Sequence, residues 1–214
     1  MTISVQNIVE TIKENFTSKA EVRDRTLRRS RELIAHCANT IRAVHRHEYK
    51  KAIELLKSAD NIAMEMVTEA KTFIDVYYAG YTQDALKELS EAHITYALIT
   101  EKPLPTPQDL AVENAAYING LAESVGELRR YTLDSLRQGD IQTSQRALEQ
   151  IDEIYTCLIT VDFPSAITSN LRRKTDVARS ILERTRGDVT TAVRQESMKK
   201  VIMAFEKRVE KLET

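Results

Sequence analysis

Two short runs of carboxylates carry the chemistry this sequence could do. Asp84, Glu88 and Glu91 recur at i, i+4 and i+7 in DALKELSE. Glu123, Glu127 and Asp134, with Arg130, form a similar stripe in YINGLAESVGELRRYTLDSLRQGD, from Tyr117 to Asp140. At roughly 100° per residue each set lies on one face of a helix. If the two helices lie side by side, up to four carboxylates could converge on one spot. Three or more carboxylates in one cleft supply the hard oxygen ligands that Mg²⁺ or Mn²⁺ takes. Such an ion activates water and neutralises the charge that develops on a phosphodiester. By spacing alone, the same residues also describe solvated helix faces, which cost only a few tenths of a kcal/mol per like-charged pair.

Other chemistries find less support. A di-iron helical bundle needs Glu-x-x-His pairs, and this chain has none. His36, His45, His47 and His93 show no metal-ligand spacing, and no P-loop, dinucleotide fingerprint or Ser-His-Asp order is present. A basic cluster, Arg23, Arg25, Arg28, Arg29 and Arg31, opens the long early helix, and Arg172-Arg173-Lys174 forms a second run. Either could track phosphates; either could equally pair with neighbouring acids.

The elements that must position these residues all read as helices. Gly (5) and Pro (4) are scarce, Trp is absent and helix formers dominate the 214 residues. Apolar residues recur at helical spacing in 3–17 (Ile3 to Phe16), about 20–47, 49–72, 82–100, 117–140, 143–160 and 166–212. The stripe of the fifth is Leu121, Val125, Leu128 and Leu136, about 180° from its acids. Gly80, the three prolines between Lys102 and Pro107, Gly139 and Phe163-Pro164-Ser165 punctuate the chain, and Gly187-Asp188 is a further candidate interruption. Thr106 is a candidate N-cap, with Pro107 in the first turn of the fifth helix. The expectation is an all-α bundle of about seven helices in one domain, residues 1–214.

Charge and cysteine usage narrow the class. A net charge of −1 does not by itself announce nucleic-acid binding. Cys37 and Cys157 lie far apart without a CxxC spacing, which argues against a disulfide framework and a zinc site and for a reducing, cytoplasmic setting. No apolar stretch approaches membrane-spanning length.

The central helix resembles that of the translin/Trax family. Tyr117, Gly120, Gly126, Glu127, Leu128, Arg130, Ser135, Gly139 and Asp140 fit the family pattern without a gap. Ser30-Arg31-Glu32-Leu33, Glu91-Ala92 with the following Leu-Pro-Thr, and Leu171-Arg-Arg-Lys-Thr-Asp176 agree with it as well. Within that family, Trax-type subunits carry an acidic endoribonuclease site and translin-type subunits mainly bind nucleic acid. This chain is similar to the Trax type: Glu88 and Glu91 fall on its Glu-x-x-Glu, and Glu123 falls where Trax has Asp, one methylene shorter. The long Trax insertions are absent, as in a compact prokaryotic or archaeal relative.

The resemblance implies a Mg²⁺- or Mn²⁺-dependent endoribonuclease acting on single-stranded RNA, with an enclosed duplex as another possible partner. It also implies a closed homo-oligomer, by analogy an octamer. Glu88, Glu91 and Glu123 would hold the metal and Glu127 would be a further ligand or support it, so all four are candidate catalytic residues. Arg25, Arg28, Arg29, Arg31, Arg172 and Arg173 would bind the nucleic-acid backbone, DNA included. The rival expectation is a non-catalytic translin-type RNA- or DNA-binding module; a helical scaffold without nucleic acid is a third.

Overall fold

The computed structural model describes residues 4–211, so Ile3 and Leu212, placed by the sequence at the ends of the first and last helices, lie outside the described residues. Among the described residues there are eight helices and no strand, the all-α class that the composition implies.

Helix α1 (Val5–His45) is one rod of 41 residues, where the sequence pattern suggests two helices. Nothing between Phe16 and Ala20 stops a helix: Thr17 donates its hydroxyl to the Lys13 carbonyl (2.9 Å), and Lys19 pairs with Asp75. Ser4 caps the start by accepting from the Asn7 amide. Helix α2 (Tyr49–Ala70) and a one-turn α3 (Ile74–Tyr77) follow. Gly80 opens α4 (Gly80–Ile99), and the Thr82 hydroxyl donates to the Val76 carbonyl, fixing the junction.

The proline stretch ends α4's continuation, as its missing amides require. Thr106 and Asp109 do cap one another, the Thr106 amide donating to Asp109 Oδ2 and the Asp109 amide to Thr106 Oγ1. That turn goes no further. Ala111 adopts a left-handed φ of 51°, and the fifth helix starts only at Asn114. Helix α5 (Asn114–Arg137) stops before Gly139, whose φ of 79° suits glycine, and the Asp140 amide donates to Ser135 O. The Asp140 side chain then accepts from the Thr143 amide and caps α6 (Ile141–Leu158).

The last sequence segment is divided differently from the expectation. A short α7 (Ser165–Thr168) precedes α8 (Leu171–Glu210), and left-handed Ser169 and Asn170 make the break. Gly187 does not interrupt α8; an added Cβ there would meet nothing within 4 Å.

By compactness the chain divides into two units, residues 1–121 and 122–214. In the first, α1 packs on α2 and α4 around Leu33, Val44, Met66, Leu86, Leu89 and Ile94. Each such side chain contributes about 1.5–3 kcal/mol by leaving water. Arg25 and Arg29 of α1 both pair with Glu69 of α2. In the second, α6 packs on α8 with Ile151, Leu158, Leu171 and Leu182 buried, and Val125 and Leu128 of α5 are buried as well. No helix among the described residues is long and apolar enough to cross a membrane.

Candidate functional site

The site begins with a close approach that only glycine allows. Gly120 of α5 lies against α4, and a Cβ built there would meet Lys87 O at 2.7 Å, Ser90 Cβ at 2.8 Å and the Glu91 amide nitrogen at 2.9 Å. Backbone atoms cannot retreat as a side chain can, so the two helices touch at the turn that bears Glu88 and Glu91. Helix α5 is unbroken from Asn114 to Arg137, which sets Glu123 about one turn beyond Gly120 on the same rod.

Three of the expected carboxylates come together. One oxygen from each of Glu88, Glu91 and Glu123 lies within 4.8 Å of the other two. Ligands on opposite sides of an ion held at about 2.1 Å stand about 4.2 Å apart, so small rotations suffice to close this set on Mg²⁺ or Mn²⁺. The donor set is oxygen only, without imidazole or thiolate, which suits those ions and not zinc. Glu91 is buried, at 9% exposure, and Glu88 and Glu123 are half-buried. Beneath α4, burial pushes the Cys37 thiol well up, and the charges of Glu88, Glu91 and Asp60 push it further.

Glu127 and Asp84 are not members of this group. Four residues along α5 carry Glu127 about 6 Å farther down the axis, where it stands 3.9 Å from Arg130. Asp84 is exposed on the outer turn of α4. The four-carboxylate convergence therefore reduces to three.

Two lysines that spacing did not single out accompany the acids. Lys87 Nζ is 3.1 Å from Glu88 Oε1, and Lys174 Nζ is 3.1 Å from Glu123 Oε1. Lys174 was visible only as the end of a basic run; nothing in a one-dimensional pattern links it to residue 123. Gly120 carried a usable signal, since a glycine inside a helix costs about 1 kcal/mol and implies a packing reason. His93, which shows no metal-ligand spacing in the sequence, has Nε2 2.7 Å from Asp60 Oδ1.

The arginines divide into two kinds. Arg25 and Arg29 hold Glu69, and Arg29 also stands 3.5 Å from Glu65. Burial alone would raise the Glu69 carboxyl, but hydrogen bonds and charges from Arg25 and Arg29 outweigh it and hold the group below its ordinary value. Arg28, Arg31, Arg172 and Arg173 are exposed.

The Translin family model matches residues 1–186. This chain belongs to the Translin family. It is 29% identical over 179 residues to the uncharacterized protein MJ0175 of Methanocaldococcus jannaschii, covering 83% of this chain and 79% of that protein. Among solved structures, the complex of AfC3PO with duplex RNA is 34% identical with a TM-score of 0.76, covering 86% of this chain and 95% of that one. Apo-NeC3PO, at 22% identity and a TM-score of 0.80, covers 90% of this chain and 100% of its own and shares the fold. The translin-family match stops at residue 186, whereas α8 continues to Glu210.

Proposed function

We propose that this translin-family chain is a divalent-metal-dependent endoribonuclease, working in the cytoplasm as a closed homo-oligomer, by family analogy an octamer. The observation that carries the reading is the convergence of Glu88, Glu91 and Glu123 within 4.8 Å. Support for RNA as the partner comes from the AfC3PO complex with duplex RNA.

Glu88, Glu91 and Glu123 would hold Mg²⁺ or Mn²⁺, and a bound ion of this kind supplies hydroxide from water near neutral pH and screens phosphoryl charge. The chain's own residues do the rest. Burial of Glu91 keeps one ligand fixed and dry. The Gly120 contact sets the spacing between α4 and α5 and hence between the carboxylates. Water adds to phosphorus and the ribose 3′-oxygen leaves with a proton, giving 5′-phosphate and 3′-hydroxyl ends. The exposed Arg28, Arg31, Arg172 and Arg173 hold the phosphate backbone without reading sequence, while Arg25 and Arg29 fix α1 to α2.

One observation favours the non-catalytic reading. Lys87 and Lys174 already pair with Glu88 and Glu123, so the cluster's charge is partly balanced without a metal, as a purely RNA- or DNA-binding module would require. Labelled single-stranded and duplex RNA, incubated with Mg²⁺ and with EDTA, separates the two readings. Metal-dependent cleavage supports the nuclease; salt-sensitive binding without cleavage supports the module.

A further inference from the structure

From the distal end of α8 we infer a second kind of contact between copies of this chain: an antiparallel two-helix pairing of their C-terminal arms.

The buried residues of α8 are Leu171, Ala178, Leu182, Thr185 and Val189. At about 100° per residue they occupy one arc of roughly 60°. Beyond Val193 the large apolar residues fall mainly on the other side, with Met203 (51% exposed) remaining on the first. Met198 (67% exposed), Val201 (69%), Ile202 (51%) and Phe205 (66%), with half-buried Val209, centre about 180° away from that arc. This stripe therefore does not continue the face that α8 packs on its own unit. It also lies past residue 186, where the family likeness ends.

The spacing is that of a coiled coil. Met198, Ile202, Phe205 and Val209 follow steps of four, three and four, and in the sequence Leu212, outside the described residues, adds a step of three. Ile202 and Val209 take a positions; Met198 and Phe205 take d positions. The helix is already formed as the end of α8, so pairing does not bear the cost of nucleating it.

Charge complementarity chooses the occupant and its direction. With Ile202 of one arm set against Phe205 of a second copy in antiparallel array, Lys199 of each arm faces Glu206 of the other, giving two opposite-charge pairs by symmetry. A parallel pair would set Arg194 against Lys199 of the second copy. Sequence and exposed face together fit an arm of the same chain.

The pairing does not rest on the nuclease reading and is tested with full-length protein by light scattering at micromolar concentration. Ile202→Glu with Phe205→Glu places charge in the seam and should lower the particle mass at least twofold, with the helical circular dichroism kept. Lys199→Glu should lower it as well, by opposing like charges, and Lys199→Glu with Glu206→Lys should restore it. A parallel pair would instead be strengthened by Lys199→Glu. An unchanged mass in the seam variant overturns the inference. A fall in mass that the charge swap fails to reverse also overturns it, and would assign the stripe to another occupant such as the exposed apolar stretch of α1 (Val5, Val9, Ile12 and Phe16). RNA cleavage in the same samples is read separately: its loss with the mass unchanged bears on the proposed nuclease, not on the arms.

Discussion

Lys174 Nζ of α8 lies 3.1 Å from Glu123 Oε1 of α5, both side chains half-buried. An ammonium and a divalent cation compete for the same carboxylate, so in the proposed metal site this lysine would set a threshold for metal entry. Lys174→Gln removes the competitor. An ion pair of this exposure is worth about 0.2–1 kcal/mol, so Mn²⁺ binding should tighten roughly 1.4- to fivefold in a calorimetric titration. Weaker binding in the variant would mean that Lys174 supports the site and does not compete for it.

Gly120 has no room for a methyl group, with the Lys87 carbonyl oxygen 2.7 Å from the position a Cβ would take. Gly120→Ala must push α5 from α4, at a cost of about 1–3 kcal/mol for overpacking. For a chain of this size that lowers Tm by several degrees, at about 2–4 °C per kcal/mol. Cleavage should fall with it, because the carboxylates separate. Gly126 is the control: an added Cβ meets nothing within 4 Å, and Gly126→Ala should be neutral or stabilising by up to about 1 kcal/mol. Equal effects at the two positions would remove Gly120 from the site.

Glu69 titrates below its ordinary value in the folded chain, because Arg25 and Arg29 outweigh the cost of burial. A depressed folded value adds stability above the unfolded carboxylate's pKa and loses it as pH falls through the folded one. Glu69→Gln should therefore lower the unfolding free energy read from urea titration at pH 7 by about 1.5 kcal/mol, the low end for a charged hydrogen bond because Arg25 is partly exposed. That gap should close on acidification below about pH 4, as Glu69 takes up a proton and the unmodified chain loses the pair that the variant already lacks. A gap constant from pH 7 to pH 3 would show that the pair contributes nothing electrostatically.

Arg28 and Arg31 are exposed, while Arg25 and Arg29 are held by Glu69. Replacing Arg28 and Arg31 by Ala should weaken RNA binding alike across sequences. Each lost phosphate contact also flattens the slope of log K against log salt by about 0.7–0.9. Arg25→Ala with Arg29→Ala should mainly lower Tm. If the second pair alone changes the salt slope, the RNA surface lies on the other side of α1.

Periodicity made the helices and the two acidic stripes legible, because burial repeats every 3.6 residues wherever a helix has one dry face; the choice of Glu88, Glu91 and Glu123 among those acids came from the family resemblance. Breaks were legible where chemistry forbids continuation, as at the prolines before α5. They were missed where a left-handed non-glycine residue makes the break, as at Ser169 and Asn170. The join of two expected helices into α1 went unread because Thr17 and Ser18 are weak signals either way. Division into two units, the Lys174 partner of Glu123 and the Glu69 partner of Arg25 and Arg29 are long-range facts. A one-dimensional pattern does not encode which distant charge arrives opposite a given residue.

The most direct test is cleavage of labelled RNA by the full-length protein carrying Glu123→Gln, with Mg²⁺ and beside an EDTA control. The substitution keeps the size of the side chain and removes the charge proposed to hold the metal. Cleavage should fall by orders of magnitude while RNA binding is kept, and adding Glu91→Gln should cost little more, since ligands of one metal act as a unit. The products of the unmodified chain should carry 5′-phosphate and 3′-hydroxyl ends and should vanish with EDTA. Full activity in Glu123→Gln, or 2′,3′-cyclic phosphate products that persist in EDTA, would contradict the assignment of Glu88, Glu91 and Glu123 as the metal-holding centre.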